Sequence, residues 1–254
     1  MTQRGTRRVL VTLLFLTMLA GNGAKAATHT TILRNAPSSQ RQPVLDVEAS
    51  PPYESRKRAP FCTTYTGPHQ MQMEKYLHRK ADGKQDIGDC RAIQRFQQLH
   101  RIRPDIGYAG PVTYATTVLL SALNNPDPDG RCPRRASLVV CVDLTRQLLW
   151  VEKGKMISFL ARPIRSGARD YRTRTGWFRI SWRNKNHFST IYRTPMPYAQ
   201  FFTGGQAFHA YDGSVYAPPG SHGCVNMRSA DARGLWGHVQ TGTLVYVYGR
   251  KPGT

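Results

Sequence analysis

Two short stretches hold the residue types that could do chemistry: Phe208-His209-Ala210 and Ser221-His222-Gly223-Cys224-Val225-Asn226. A thiolate is a strong nucleophile, and a nearby imidazole can take the thiol proton. His209 stands fifteen residues before Cys224 and His222 two before it. Gly223 has no Cβ, so its backbone N–H can come close to a substrate carbonyl oxygen. Together these types point to nucleophilic attack at a carbonyl. Two other uses are open at this level. His209, His222 and Cys224 could serve as zinc ligands, although no fourth ligand at metal spacing is evident. Cys224 could also be half of a structural disulfide.

The whole string is more specific than its parts. Ser-His-Gly-Cys-hydrophobic-Asn, with a His on the preceding segment, resembles the signature of the L,D-transpeptidase (YkuD-type) catalytic domain. Met196-Pro197-Tyr198 and Gly204-Gly205-Gln206-Ala207-Phe208-His209 resemble the run that leads into that family's first His. Eleven residues between His209 and Ser221 make a short loop for the family, and Ala210 stands where Gly or Ser is common.

The resemblance implies acyl transfer between peptidoglycan stem peptides. Cys224, helped by His209, would attack the carbonyl of the third residue of a tetrapeptide donor stem. D-Ala would leave, and an acceptor stem's amine would resolve the thioester as a 3→3 crosslink. By the same analogy the N–H groups of Gly223 and Cys224 hold the oxyanion and His222 supports the site electrostatically. Ser221 and Asn226 shape the loop, Ala210 contributes its backbone carbonyl, and Tyr198 joins the tyrosines of a substrate groove. No metal or organic cofactor is implied. A cysteine L,D-carboxypeptidase, with water as acceptor, would use the same residues. A sortase-like enzyme also pairs Cys and His, but no Thr-Leu-x-Thr-Cys string occurs. A non-catalytic wall-binding protein would need an inert or disulfide-bonded Cys224.

The chain of 254 residues opens on what reads as a secretory signal over residues 1–26. Arg4, Arg7 and Arg8 form its basic start, Val9 to Leu19 its apolar run and Ala24-Lys25-Ala26 its small-residue exit. Eleven apolar-run residues fall short of the ~20 that span a bilayer, so no transmembrane anchor is expected after cleavage. A secreted, cell-wall or extracellular address follows. Removing four basic groups and no acid from a net charge of +21 leaves +17. Such an excess attracts polyanions. Inside a cell that would mean nucleic acid; outside, the polyanions at hand are acidic wall polymers, so no nucleic-acid partner is expected. Five cysteines are an odd number for an oxidising compartment. Cys62, Cys90, Cys132 and Cys141 allow three pairings. Local pairing, Cys62–Cys90 and Cys132–Cys141, is expected, which leaves Cys224 over.

The elements that must position these residues form an α+β multidomain chain. Residues 27–60, rich in Pro, Ser, Gln and Arg, read as an extended tether. Residues 61–123 read as a small three-helix module. Its helices run from Gln70 to Arg79 (Met73, Tyr76 and Leu77 inward), from an Asp89 cap (Ile93, Phe96 and Leu99 or His100 inward), and from Thr113 to Leu123 (Val112, Thr116, Leu119 and Leu123 on one side). Ala92-Ile93-Gln94-Arg95-Phe96-Gln97 and Gly107-Tyr108-Ala109-Gly110-Pro111-Val112-Thr113 resemble a peptidoglycan-binding helical module. Residues 124–136 read as a turn-rich linker, and 137–250 as a mostly β catalytic domain, a sandwich or open barrel. Its expected strands are Leu138 to Val142, Gln147 to Glu152, Met156 to Pro163, Gly176 to Trp182 and Leu244 to Tyr248, with one helix from an Ser229 cap to Val239. Arg165, Arg169, Arg172 and Arg174 form a basic loop that could meet carboxylates. Tyr192, Tyr198, Tyr211 and Tyr216 could line the groove.

Overall fold

The computed structural model describes residues 61–254, and the signal and tether read at residues 1–26 and 27–60 lie outside them. Three helices come first: α1 (Gln70–Tyr76), α2 (Ile87–Leu99) and α3 (Pro111–Asn124). The cap of α2 is Asp86, whose side chain accepts the Asp89 N–H at 2.7 Å. Asp89, expected as the cap, instead pairs with Arg79 Nε at 3.0 Å. The inward face of α2 is also more polar than expected. Leu99 is exposed, whereas Gln94 and Gln97 are buried. Both glutamines donate to loop carbonyls: Gln94 to Phe61 and Asp105, Gln97 to Tyr108, each at 2.9 Å. Buried backbone oxygens need partners, and a long amide supplies what a leucine would not. On α3 the buried residues are Thr113, Thr117 and Ala122, so the face is rotated from the expected one and Val112 is exposed.

Nine strands follow: β1 (Val139–Asp143), β2 (Leu148–Lys153), β3 (Met156–Arg165), β4 (Gly176–Arg179), β5 (Trp182–Ser189), β6 (Thr194–Thr203), β7 (Gln206–Ala210), β8 (Val225–Met227) and β9 (Leu244–Tyr248). They make one sheet in the order β4-β9-β1-β2-β3-β8-β7-β6-β5. The expected single strand from Gly176 to Trp182 is broken at Ile180 and Ser181. Ile180 N–H bonds to Thr243 and Ser181 N–H to Phe201. The two edge strands, β4 and β5, are therefore neighbours in the chain. Two residues bridge opposite ends of the sheet only if the sheet curls until its edges approach. The result is the open barrel expected for the β region.

One core fills the inside of the curl. Val140, Val142, Leu149 and Val151 from one half meet Phe208, Ala210, Val225 and Met227 from the other, with Ala232 and Leu235 of α4 (Ser229–His238) between. Helix α4 has Arg228, not Ser229, at its N-cap position, without a side-chain cap bond. Its first turn is held by Asp231, which takes Arg162 and Arg228 as ion partners at 3.1 and 2.6 Å. On the outside, Trp150, Cys141 and Tyr248 pack with Ala122, Val118 and Leu119 of α3. Cys62–Cys90 and Cys132–Cys141 are disulfides, and Cys224 is free. The turn-rich segment after α3 is pinned as well. Asp127 accepts the N–H groups of Arg131 and Cys132 at 2.8 and 3.0 Å. Among the described residues no helix is long and apolar enough to cross a membrane.

Candidate active site

Strands β7 and β8 pair in parallel, with Phe208 opposite Val225, His209 opposite Asn226 and Ala210 opposite Met227. Side chains alternate across a strand. Phe208, Ala210, Val225 and Met227 therefore enter the core. His209 and Asn226 share the other face, on which Cys224 packs near Ala207, Ala199 and Met196. That face floors a cleft of about 540 Å³, lined also by Arg165, Tyr192, Tyr211 and His222. The loop between the two strands, residues 211–224, carries the Ser-His-Gly-Cys string.

Its last turn is fixed by backbone bonds to the segment after β3. Ser221 N–H donates to Ser166 O at 3.0 Å, and Ala168 N–H to Ser221 O at 2.8 Å. Thr173 Oγ1 donates to Gly223 O at 2.9 Å. Ser221 Oγ donates to Cys224 O at 2.5 Å and accepts Gly223 N–H at 3.0 Å. Gly223 has φ +108°, and a Cβ there would lie 2.5 Å from Gln206 Nε2. Only glycine meets both conditions without strain. Gln206 is tied in turn to Arg172 O and Arg174 N, at 2.9 and 3.0 Å. The expectation that Gly223 N–H awaits an oxyanion is not met here, because Ser221 Oγ already takes that hydrogen.

His209 is buried at 6% exposure. Its Nδ1 lies 2.7 Å from Ala210 O, and its Nε2 lies 2.9 Å from Asn226 Nδ2. A carbonyl only accepts, so Nδ1 carries the hydrogen and Nε2 presents its lone pair. Burial pushes the imidazole down to about 4, and His187 adds a smaller push in the same direction. At neutral pH the ring is an uncharged base.

Cys224 is half-buried, and its Sγ faces Gly205 O at 3.9 Å. Among the described residues no hydrogen bond joins that sulfur to His209. Burial raises the thiol above its ordinary range, against a smaller opposing effect of the Ala207 backbone. A preformed thiolate–imidazolium pair, the arrangement that adjacent histidines suggest, is thus not the resting state. Both partners are neutral at rest.

The other expected residues divide between cleft and core. His222 is exposed, stacked on Tyr192 (4.5 Å, 21°) and edge-on to Tyr171 (4.6 Å, 65°). Its ring props the mouth of the cleft. Tyr198 does not reach the groove. Its φ of +59° turns the ring through the sheet, toward the core and Trp236 at 6.2 Å. Tyr192 and Tyr211 line the cleft; Tyr198 and Tyr216 do not. A zinc site at His209, His222 and Cys224 is disfavoured, since both His209 nitrogens are engaged and His222 is held between tyrosines. Among the described residues, the close three-ligand group is Cys132, Cys141 and Glu152, and its two sulfurs are joined in a disulfide. From sequence, Arg165 is named only within a basic loop, Gln206 only within the run before His209, and Thr173 not at all. Arg165 and Thr173 lie far from Cys224 along the chain, and only the pairing of β3 with β8, Arg165 opposite Asn226, reveals one of them.

A family model for the L,D-transpeptidase catalytic domain matches residues 137–247. Among solved structures, an L,D-transpeptidase from Stackebrandtia nassauensis is 32% identical. The match covers 77% of this chain and 100% of that one, with a TM-score of 0.56. The chain belongs to the L,D-transpeptidase family. An L,D-transpeptidase from Xylanimonas cellulosilytica (residues 123–326) is 25% identical over 75% of this chain and 98% of its own, with a TM-score of 0.43. One from Mycobacterium tuberculosis is 20% identical over 44% of this chain and 58% of its own, with a TM-score of 0.41. A search of curated proteins gives no match. Within this L,D-transpeptidase, the matched region contains the whole β7–loop–β8 unit that holds His209 and Cys224.

Proposed function

We propose that this L,D-transpeptidase is secreted and joins peptidoglycan stem peptides through a thioester on Cys224, forming 3→3 crosslinks. The observation that carries the reading is the pairing of one free, half-buried thiol with a buried neutral imidazole on the floor of a single cleft. The thiol swings from Gly205 O toward the cleft and attacks the carbonyl carbon of the donor's third residue. His209 Nε2 gives up the Asn226 amide hydrogen bond that it accepts at rest, takes the thiol proton and returns it to the departing D-Ala amine as the C–N bond breaks. The acceptor amine then attacks the thioester, loses a proton to His209, and the sulfur leaves and is reprotonated. Cys224 N–H is the backbone donor left for the oxyanion, since Gly223 N–H is bound by Ser221.

Two further parts of the reading concern polymer binding. Residues 61–123 would hold the glycan-peptide network, and Arg172, Arg174, Arg250 and Lys251, which line a second depression of about 530 Å³, would attract anionic wall polymers. Incubation with a tetrapeptide stem tests the chemistry. The wild type should release D-Ala and form dimers joined between third residues, and Cys224→Ala should give neither. Release of D-Ala without dimers in abundant acceptor would make the chain a carboxypeptidase instead.

A further inference from the structure

Arg165 on β3, Asn226 on β8 and His209 on β7 form one row across three neighbouring strands. Arg165 Nη1 donates to Asn226 Oδ1 at 2.8 Å, and its Nε donates to Ala217 O at 2.9 Å. The guanidinium also lies over the Tyr211 ring, 4.8 Å from its centroid. An arginine only donates. The amide of Asn226 must therefore turn its oxygen to Arg165 and its NH₂ to His209, where Nε2 lies 2.9 Å away. An NH₂ group requires a lone pair on Nε2, and Ala210 O requires a hydrogen on Nδ1.

We infer that Arg165 is a positioning residue that, through Asn226, holds His209 in the tautomer whose Nε2 carries the lone pair. The role rests on His209 being the base of the proposed reaction, but the tautomer itself is a property of the free protein. Without Arg165, only the Ala210 carbonyl favours that tautomer, and a reversed Asn226 amide would compete with it by accepting a hydrogen from Nε2. Burial keeps the ring neutral, and the row gives that neutral ring its hydrogen-bond partner at Nε2. Arg165 lies one amide away, and His187 on β5 adds a smaller push in the same direction as burial. The other titratable groups of the cleft are Cys224, His222, Tyr192, Tyr211 and Asp212, all on the loops around it.

The test is ¹⁵N NMR of the histidine rings in the full chain, without substrate, beside steady-state kinetics. Wild type should show His209 protonated at Nδ1 and bare at Nε2. In Arg165→Met the Nε2 hydrogen should appear in a substantial fraction of molecules, and kcat/KM should fall roughly 10–100-fold, the range seen when a partner behind a working ligand is lost. Arg165→Lys, whose single ammonium reaches only one of the two acceptors, should lie between. Asn226→Asp should place a hydrogen on Nε2 in every molecule, because a carboxylate facing both Arg165 and His209 only accepts. With Ala210 O still holding the Nδ1 hydrogen, the ring then has no lone pair for the thiol proton. Loss of the working tautomer costs on the order of 10⁴ in kcat elsewhere, and a loss of that order is expected here. Retention of the wild-type tautomer in folded Arg165→Met would overturn the role. So would a bare Nε2 in Asn226→Asp, which decides the matter if Arg165→Met does not fold. Neither readout depends on the stem peptide, so failure of the crosslinking reading would leave this result standing.

Discussion

The two halves of the curled sheet are built from different interactions. In β1, β2 and β9 nearly every residue is buried, and valine, leucine and tryptophan cover both faces. In β7, β8 and the loop between them, one face is equally apolar, but the other holds His209 and Asn226 hydrogen-bonded to each other, to Arg165 and to Ala210. Apolar burial is additive and tolerant of small shifts. A hydrogen-bonded row loses its function if one member turns. The first half supplies apolar stability against which the second can hold a row of polar groups.

Separate losses on the two sides would sharpen this contrast. Trp150 is wholly buried on the outer face, and its Nε1 donates to buried Glu152 at 3.0 Å. Trp150→Ala should cost about 3–5 kcal/mol by chemical denaturation, while the activity per folded molecule stays near wild type. Cys224→Ala should do the reverse, with a stability change below about 1 kcal/mol and no product. If Trp150→Ala lost activity in proportion to its stability, the two halves would not be separable.

Gly223→Ala should fall between these. The methyl group meets Gln206 and sits at φ +108°. A shift of the turn by a fraction of an ångström to an ångström can cost on the order of 10² in rate, and the strain should cost about 1–3 kcal/mol of stability. A companion Gln206→Ala, which opens the space, should restore part of the activity if the clash is the cause. Unchanged kinetics in Gly223→Ala would show that the turn is not held as tightly as its bonds indicate.

A further effect concerns pH. His209 is held at about 4 in the folded chain, against an ordinary value of ~6.5 once unfolded. Between those values the unfolded chain binds a proton that the folded chain does not. Stability contributed by this group is therefore full above ~6.5 and is lost as pH falls toward 4, on the order of 3 kcal/mol in all. His209→Gln should flatten that slope in denaturation curves. In the wild type the acid limb of kcat/KM should lie near pH 4, and alkylation of Cys224 should be slow at neutral pH and accelerate on the alkaline side, since burial raises the thiol. A fast neutral reaction would mean that an ion pair forms after all.

The same contrast explains what was legible beforehand. Leu138 to Val142, Gln147 to Glu152 and Leu244 to Tyr248 announce themselves as apolar runs, and the strands found there differ by a residue or so. Strand β5, Trp-Arg-Asn-Lys-Asn-His-Phe-Ser, carries polar residues on an edge and shows no such run. In β6 two prolines and a positive φ at Tyr198 break the alternation, which also sends that ring to the wrong face for the cleft. Strand β8 is only three residues long. Cys224 and His209 were legible because the string around them is specific and the odd cysteine had no partner. Arg165 was visible only as one of four arginines. Its distinction is a cross-strand register that no local pattern encodes. The direction of the thiol shift was hidden for a related reason, since adjacency in sequence placed His222 beside Cys224 whereas the fold stacks it on tyrosines.

The central claim is that Cys224 carries the acyl group. Mass spectrometry of the enzyme quenched during turnover with a tetrapeptide stem, followed by peptide mapping, tests it most directly. The account predicts an increment equal to the donor minus D-Ala, located on Cys224 and discharged on addition of an acceptor amine. D-Ala release that continues in Cys224→Ala, or an adduct mapped to any other residue, would contradict it.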